Sequence, residues 1–167
     1  MSTHRRVTLM SLLALAAALP NAVAAQGTES LAGTWKLNVA KSKYDPASLA
    51  MKSGTTTYTF SGNSVTVNVD QVNAKDQKVH TEYTATLDGA DSPWKSTIDG
   101  KASATQDAVS FKKLDANTYH VENKLKGKLL TTNHIVVAPD GKSRTVTITG
   151  TNAAGQKVNH VVVYDKQ

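Results

Sequence analysis

Beyond residue 33, apolar and polar side chains alternate along most of the chain. In the stretch SVTVNVD, the three valines at positions 65, 67 and 69 share one side of an extended backbone, and polar residues occupy the other. The segments 78–87 and 118–126 repeat this alternation. Because successive side chains of a strand point to opposite faces, the pattern predicts strands with one buried and one wet face. Such strands are typical of an antiparallel sheet.

Turn signals rich in Gly, Asn and Asp separate the alternating segments, among them DGAD at 88–91. These residues supply positive φ angles or side-chain hydrogen bonds within a turn. The spacing of these turns predicts about ten strands. The predicted fold class is an all-β, up-and-down meander of about 8–10 strands that closes on itself or forms a sandwich. The predicted strands are 33–39, 55–60, 64–72, 78–87, 93–98, 107–113, 118–126, 129–138, 143–150 and 157–164.

One segment, KSKYDPASLAMKSG at 41–54, breaks the alternation. Asp45 is a suitable helix N-cap, and Pro46 suits the first helical position. Leu49 and Met51 would then cover an apolar surface. We expect one short helix or an ordered loop between the first and second strands.

The first 25 residues have the layout of a secretory signal peptide. Arg5 and Arg6 precede the apolar run 7–19, and the small residues of AVAAQ follow, so that cleavage is expected near Ala24 or Ala25. The alternative is a membrane anchor, but 13 residues are too few to span a bilayer comfortably. We therefore expect a periplasmic or secreted protein without a stable membrane anchor.

The remaining chain, residues 26–167, is predicted to be a single domain. It contains no Cys, so core packing and strand pairing must stabilise it without disulfides. Removal of Arg5 and Arg6 lowers the formal net charge from +6 to +4, and the remaining lysines are scattered among acidic residues. Nucleic-acid binding would favour a clustered basic stripe with stacking aromatics, which is not seen. Nothing in this surface composition requires an oligomer, so we expect a monomer.

The chain also contains a weak internal repeat. Residues 62–79 align without gaps onto residues 141–158, and the shared turn N-A-x-x-Q-K-V is the clearest part of the match. Each copy would be a strand, a turn and the start of the next strand. Similar composition is the alternative explanation, and either one favours hairpin connections between neighbours.

The start and end of the predicted barrel resemble the calycin group, which includes lipocalins and fatty-acid-binding proteins. The match to the fatty-acid-binding pattern G-x-W-K-L…[FY]-[DE] comprises Gly33, Trp35, Lys36, Leu37, Tyr44 and Asp45, with Tyr164 and Lys166 at matching positions of the last strand. The chain also resembles uncharacterised secreted bacterial proteins that begin GTWKLN. The resemblance implies a closed lipocalin-like barrel in which Trp35 packs across one end and Gly33 permits close approach.

Two departures from the fatty-acid-binding pattern bear on the ligand. The segment 41–54 has room for a short helix only, where that family has a pair of helices. The family's Arg-x-Tyr carboxylate clamp in the last strand corresponds to Val162 and Tyr164 here, so its Arg is missing.

A barrel of this size can enclose a small ligand. The side chains predicted to face its interior are Trp35, Leu37, Val39, Tyr58, Phe60, Val67, Tyr83, Phe111, Tyr119, Val121, Val146, Ile148 and Val162. The candidate ligand-binding residues are Tyr58, Tyr83, Phe111, Tyr119, Arg144, His160 and Tyr164. Tyrosine suits such a cavity because it joins an apolar ring to a hydroxyl that orients a ligand. The alternative is that these side chains simply fill the interior.

Two of these candidates carry charge or titrate. Arg144 is the only Arg after residue 25, and at a barrel mouth it would hold an anionic headgroup. The alternative is a solvated residue at the start of a strand. His160 alternates with Val158 and Val162, which would turn it inward beside Tyr164. His80 and His120 lie on polar faces and are expected at the surface.

Three functions are compatible with these patterns. The first is an extracytoplasmic protein that binds a small hydrophobic or amphipathic molecule without a cofactor. The second is a filled barrel that acts as a protein-interaction module of the cell envelope. The third is a small barrel enzyme, but the chain has no G-x-S-x-G, no Cys nucleophile, no P-loop and no dinucleotide motif. No His, Asp or Glu spacing indicates a metal site. Ligand binding is the hypothesis that the resemblance favours, and it is an argument by analogy of fold.

Overall fold

In a computed structural model, residues 29–167 form twelve β-strands and one turn of 3-10 helix. The strands are β1 (Gly33–Lys43), β2 (Met51–Ser61), β3 (Ser64–Asn73), β4 (Lys78–Thr86), β5 (Asp88–Pro93), β6 (Lys95–Ile98), β7 (Lys101–Ala102), β8 (Ala108–Lys113), β9 (Thr118–Leu125), β10 (Lys128–Val137), β11 (Ser143–Thr151) and β12 (Lys157–Lys166). The 3-10 turn is Ala47–Leu49. The structure describes residues 29–167, so the predicted leader, residues 1–25, lies outside it.

All the strands belong to one antiparallel sheet. Its order is β5-β8-β9-β10-β11-β12-β1-β2-β3-β4-β6-β7, so the first and last strands pair near the centre. The sheet curls until β4, the third strand from one edge, lies against β5, the strand at the other edge. The predicted all-β meander is confirmed, as a curled half-barrel with almost no helix.

Leu87 lies between β4 and β5 and joins the two sides of the curled sheet that meet there. Its N–H donates to the carbonyl oxygen of Asn63 at 3.0 Å, and its carbonyl accepts from the N–H of Lys113 at 3.0 Å. The Leu87 side chain is buried in the core. One residue therefore links the β2–β3 connection to the end of β8, and it does so by backbone bonds that do not depend on side-chain identity.

The turn predicted at 88–91 lies earlier, at Leu87. These residues form the first part of β5, which pairs with β8 through Asp91 and Ser110. The Asp88 carboxylate accepts the Ala90 N–H at 3.0 Å, and Gly89 has a φ of +91° at the register shift. Asp88 and Gly89 form a bulge at the start of β5. The chain reverses direction at Leu87, because β4 ends beside Ser64 and β5 runs back from there.

One end of the half-barrel is covered by Glu29–Leu31, which we call the plug. Leu31 is fully buried, and its carbonyl accepts the indole N–H of Trp35 at 2.8 Å. The Ser30 hydroxyl donates to the Ala116 carbonyl oxygen at 2.7 Å. Trp35 is itself fully buried, so the predicted Gly-x-Trp packing across one end is confirmed.

Val39 was predicted to face the interior, and this is wrong, because its side chain is 48% exposed. β1 bulges between Asn38 and Lys43, where its register with β12 shifts. The Ser42 hydroxyl fills the gap in the ladder by accepting the Val163 N–H at 3.0 Å and donating to the Asn38 carbonyl at 2.7 Å. This side-chain substitution for a backbone partner turns Val39 outward.

The segment between β1 and β2, residues 44–50, crosses the end opposite the plug, and we call it the strap. It contains the short 3-10 turn Ala47–Leu49, as expected, but its cap is Pro46 and no side chain caps the turn. The predicted role of Asp45 as an N-cap is therefore wrong. The backbone of Asp45 is instead bound to β12.

The two copies of the internal repeat form the hairpins β3–β4 and β11–β12. In the first turn, the Asn73 side-chain oxygen accepts the N–H groups of Lys75 and Gln77 at 2.9 and 3.1 Å. In the second, the Asn152 side-chain oxygen accepts two N–H groups at 3.0 Å in the same way. The repeated sequence thus specifies one turn structure twice.

Candidate ligand-binding site

The seven candidate ligand-binding side chains all lie on the inner side of the sheet. None of Tyr58, Tyr83, Phe111, Tyr119, Arg144, His160 and Tyr164 is more than 8% exposed. Tyr58, Arg144 and Tyr164 form one group near the plugged end. Phe111 connects this group to Tyr119 beneath the plug, because its ring lies 6.4 Å from that of Tyr58 and 5.8 Å from that of Tyr119. His160 lies apart from them, at the strap end.

Arg144 occupies the centre of the first group. It lies at the start of β11, directly opposite Tyr164 of β12, and its side chain is 2% exposed. Its Nη1 donates to the Tyr58 hydroxyl at 2.9 Å. The guanidinium carbon lies 3.9 Å from the ring centroid of Tyr164, 5.0 Å from that of Tyr58 and 5.6 Å from that of Trp35. Three aromatic rings therefore enclose the cation.

These positions correct two predictions for Arg144. The solvated alternative is wrong, because the side chain is buried. The placement at a barrel mouth is also wrong, because Arg144 lies beside Trp35 at the plugged end. The turn before β11 is at that end, and the alternation of the strand then directs the side chain inward.

No carboxylate in residues 29–167 forms an ion pair with Arg144, and its buried Nε has no hydrogen-bond partner there. Burying a charge costs several kcal/mol per ion even after relaxation. A desolvated cation–π contact returns about 2 kcal/mol. Three such contacts offset much of this cost, and the buried Nε is left without a hydrogen-bond acceptor in the described chain.

The surrounding tyrosines do not supply an anion. Burial raises the pKa of Tyr58, and the opposing effect of Arg144 does not cancel it. Burial also holds the pKa of Tyr83 well above its ordinary value. Both hydroxyls are therefore neutral at physiological pH, where they donate or accept hydrogen bonds without neutralising the guanidinium.

Tyr119 serves the plug. Its hydroxyl donates to the Glu29 carboxylate at 2.9 Å, and Lys113 pairs with the same carboxylate at 2.7 Å. Burial raises the pKa of Tyr119 to about 12. Phe111 packs against its ring with centroids 5.8 Å apart. Tyr119 therefore closes the plugged end, and Phe111 packs between Tyr119 and Tyr58, the hydrogen-bond partner of Arg144.

Tyr83 reveals a residue that sequence reasoning missed. Trp94 stacks on it with ring centroids 5.2 Å apart and an interplanar angle of 22°. Trp94 lies between β5 and β6, and its N–H donates to the Asp107 carbonyl oxygen at 3.0 Å. The only available signal was that it is one of two Trp in the chain.

His160 lies at the strap end of β12 and is 7% exposed, so the predicted inward orientation is confirmed. Its Nδ1 accepts the N–H of Asp45 at 3.0 Å, and its ring lies 5.1 Å from that of Tyr44. His80 is exposed and contacts Asp70, whereas His120 is half-buried near Glu122.

Between Arg144 and His160 the inner face is apolar. Val146 and Ile148 continue β11 toward the strap, opposite Val162 and His160 of β12. Val146 and Val162 are buried, and Ile148 is half-buried. The inner face is thus most tightly covered at the plugged end and more open toward the strap.

Two grooves open on the outer surface. One of about 600 Å³ is beside the plug and includes Glu29 and Lys113, and one of about 540 Å³ crosses β2, β3 and β4 and includes Asp70 and His80. None of the seven candidate residues lines either groove. The guanidinium of Arg144 is instead surrounded by the rings of Trp35, Tyr58 and Tyr164.

The strap does not show the exposed apolar patch that an interaction module would present. Leu49 is half-buried, and Met51, at the start of β2, packs partly buried against the core. Within residues 29–167, no cluster of three or more His, Asp or Glu side chains is placed to hold a metal ion. The same part of the chain has no helix long and apolar enough to cross a membrane.

No family model and no curated protein sequence matches the chain. Among solved structures, the chain is similar to the zebrafish ileal bile acid-binding protein in complex with cholic acid. The TM-score is 0.51 at 14% sequence identity, over 83% of this chain and 99% of that one. At this identity the similarity shows the fold alone, a barrel like that of the fatty-acid-binding proteins.

Proposed function

We propose that this protein works outside the cytoplasm as a binding protein for a small amphipathic molecule that carries an acidic group. The observation that carries the proposal is Arg144, a buried cation without a carboxylate partner in the described chain. The apolar part of the ligand would lie along the inner face between Arg144 and the strap.

The chemistry around Arg144 suits a carboxylate, sulfonate or sulfate. The guanidinium offers donors in a planar fork, and the Tyr58 hydroxyl already lies 2.9 Å from Nη1. A hydrogen bond to a charged group contributes about 1.5–3 kcal/mol. An acid should therefore bind roughly ten- to a hundredfold more tightly than the matching alcohol.

The fold supports this reading of the site. The neighbouring zebrafish structure holds cholic acid, which is an amphipathic acid. The Arg that the last strand lacks at Val162 has a counterpart here in Arg144, which lies in the preceding strand directly opposite Tyr164. An Arg–Tyr pair is thus present across two strands, although the single-strand motif is absent.

The extracytoplasmic location rests on the sequence of residues 1–25, with its basic start, apolar run and small residues. Fractionation of the host followed by mass measurement of the intact protein tests it. A chain that begins at or near Ala25 or Gln26 in the envelope or medium supports the proposal, and a full-length chain in the cytoplasm contradicts it.

Binding is tested by displacing anilinonaphthalenesulfonate with dodecanoate and with dodecanol. The wild type should prefer the acid, and Arg144→Met should lose that preference. Lys142→Met is the control, because it removes the same charge from an exposed position two residues away. Circular dichroism establishes that each variant is folded. Equal displacement by the two probes, or an undiminished preference in Arg144→Met, contradicts the role of Arg144.

The interaction module remains the second candidate, because Arg144 lines neither outer groove and three aromatic rings enclose it. Native mass spectrometry of protein purified gently from its host separates the two. A reproducible added mass that is lost on denaturation supports ligand binding. An empty protein that also binds neither probe favours the interaction module.

A further inference from the structure

The two ends of the half-barrel are closed in different ways. The plug is held by buried groups, including the Trp35 indole bonded to Leu31 at 2.8 Å and the Tyr119 hydroxyl bonded to Glu29 at 2.9 Å. The strap has no buried residue in its 3-10 turn. If the proposed function is correct, a ligand has to enter at the strap end, because opening that end exposes less buried surface than removing the plug.

The strap is attached to β12 by a small set of contacts around one residue. The N–H of Asp45 donates to His160 Nδ1 at 3.0 Å, and the carbonyl of Asp45 accepts the N–H of Asn159 at 2.9 Å. The Tyr44 ring covers the His160 ring at a centroid distance of 5.1 Å. A nitrogen lone pair on His160 therefore accepts the backbone N–H where the strap turns away from β1.

We propose that the strap is a gate over the end of the half-barrel opposite the plug and that His160 is its latch. The latch is closed when the imidazole is neutral and released when the imidazole is protonated. Acidification would then open the gate, and neutral pH would close it.

The chemistry follows from the atom that makes the bond. Nδ1 accepts a hydrogen bond only while it carries a lone pair, which requires the neutral ring with its proton on Nε2. Protonation places a second N–H at Nδ1, directly against the N–H of Asp45. Two donors then face each other, so the contact becomes unfavourable and the strap loses its attachment.

The charged and titratable groups that face His160 come from the strap and from β12. Asp45 and Tyr44 lie on the strap, and Tyr164 lies four residues further along the inner face of β12. β11 presents the apolar Ile148 opposite His160. The Lys43 side chain, at the end of β1, is exposed to solvent.

Burial lowers the pKa of His160 from its ordinary value near 6.5, and the nearby Asp45 carboxylate opposes this without cancelling it. The folded protein therefore favours the neutral, latched form. Stabilisation by the latch is complete above about pH 6.5 and is lost as the pH falls through the lowered pKa.

The test measures amide exchange by NMR on the unliganded protein, at several pH values from about 7.5 to about 5. Each rate is divided by its intrinsic rate at that pH to give a protection factor. The wild-type Asp45 amide should lose roughly five- to tenfold in protection on acidification, the size expected from one hydrogen bond. Amides of the turn 73–77, which lies at the same end of the half-barrel, should keep their protection factors.

Three variants make the test specific. His160→Asn places an oxygen acceptor where Nδ1 lies but does not titrate, so protection at Asp45 should be independent of pH. Asp45→Asn should shift the loss of protection to lower pH, because the carboxylate that favours the charged imidazole is gone. His134→Asn, at an exposed position, is the control and should behave as the wild type.

An undiminished pH response in His160→Asn overturns the latch, as does a response of equal size in the turn 73–77. Because no ligand is present, these outcomes are separate from the failure of dodecanoate to bind, which would count against the proposed function alone. If both proposals hold, dodecanoate should dissociate faster at about pH 5 than at about pH 7.5 from the wild type but not from His160→Asn.

Discussion

The hairpins β3–β4 and β11–β12 share a turn and a register but differ on their inner faces. Val65 lies opposite Ala85 in the first hairpin, and Arg144 lies opposite Tyr164 at the same two places in the second. Further along, Val69 faces Thr81 in the first, whereas Ile148 faces His160 in the second.

This difference separates what specifies the backbone from what specifies the chemistry. The turn side chains Asn73 and Asn152 and the alternation of the strands are common to both hairpins, and so is the backbone structure. The inner-face residues are free to vary within that structure. Arg144, His160 and Tyr164 lie in the second hairpin, and the first has the uncharged residues Val65, Thr81 and Ala85 at the matching positions.

The largest expected effect on stability comes from replacing Tyr164 by Ala, the residue that the first hairpin has at the matching position 85. Tyr164→Ala removes a buried ring that covers Arg144 at 3.9 Å, and we expect a loss of about 3–5 kcal/mol in the free energy of unfolding. Urea denaturation measures it. Tyr164→Phe is the control, because it keeps the ring and should lose about 1 kcal/mol or less. Similar losses in both variants would contradict the packing argument.

The next change separates stability from binding at Arg144. Replacing the buried cation by an apolar side chain of similar length should raise the free energy of unfolding of the unliganded protein, by about 1–3 kcal/mol. Arg144→Met tests this in urea. The matched variant Val65→Met, at the equivalent apolar position, should lower it by about 1–3 kcal/mol through overpacking. A loss of stability in Arg144→Met would mean that the aromatic enclosure satisfies the charge.

Loss of the turn Asn side chain should destabilise the protein equally in the two hairpins. Asn73→Ala and Asn152→Ala each remove two accepted bonds and one donated bond. We expect about 1–2 kcal/mol of lost stability from each variant. The double variant should lose the sum to within about 0.5 kcal/mol, because the two turns share no contact. Thermal or urea unfolding of all three variants shows whether the repeat is equivalent in energy as well as in structure.

The smallest expected effect is on the pH dependence of the free energy of unfolding. His160→Thr gives the second hairpin the residue that the first has at position 81. Because burial lowers the pKa of His160, the wild type should lose about 1 kcal/mol relative to this variant as the pH falls below about 6.5. Urea unfolding of both proteins across this range measures the difference. The control His134→Thr should keep the pH dependence of the wild type. The same pH dependence in all three proteins would show that His160 is not its cause.

Much of the fold could be predicted because the determining signal is local. Alternation encodes which face a side chain occupies, so the inward placement of Val67, Val121 and Val146 followed directly from the sequence. The Gly-x-Trp packing at Trp35 and the two Asn turns were likewise visible in short stretches. These features depend on neighbours a few residues away.

The errors arose where a distant residue decides the outcome. Val39 turns outward because Ser42 replaces a backbone partner of Val163, which lies 121 residues away. Arg144 is buried because Tyr58, 86 residues earlier, and Tyr164 on the next strand enclose it. The bond from Asp45 to His160 spans 115 residues. A single sequence carries no signal for such pairings, so the candidate residues were identifiable but their grouping was not.

The plugged end also determines the orientation that the half-barrel would take when it is linked to a surface. Glu29 lies in the plug, and the N–H of Gln167 donates to the Thr34 carbonyl oxygen at 2.9 Å, so Gln167 lies at the plugged end of the half-barrel. A surface linked through Gln167 would therefore sit at the plugged end. The strap would point away from that attachment.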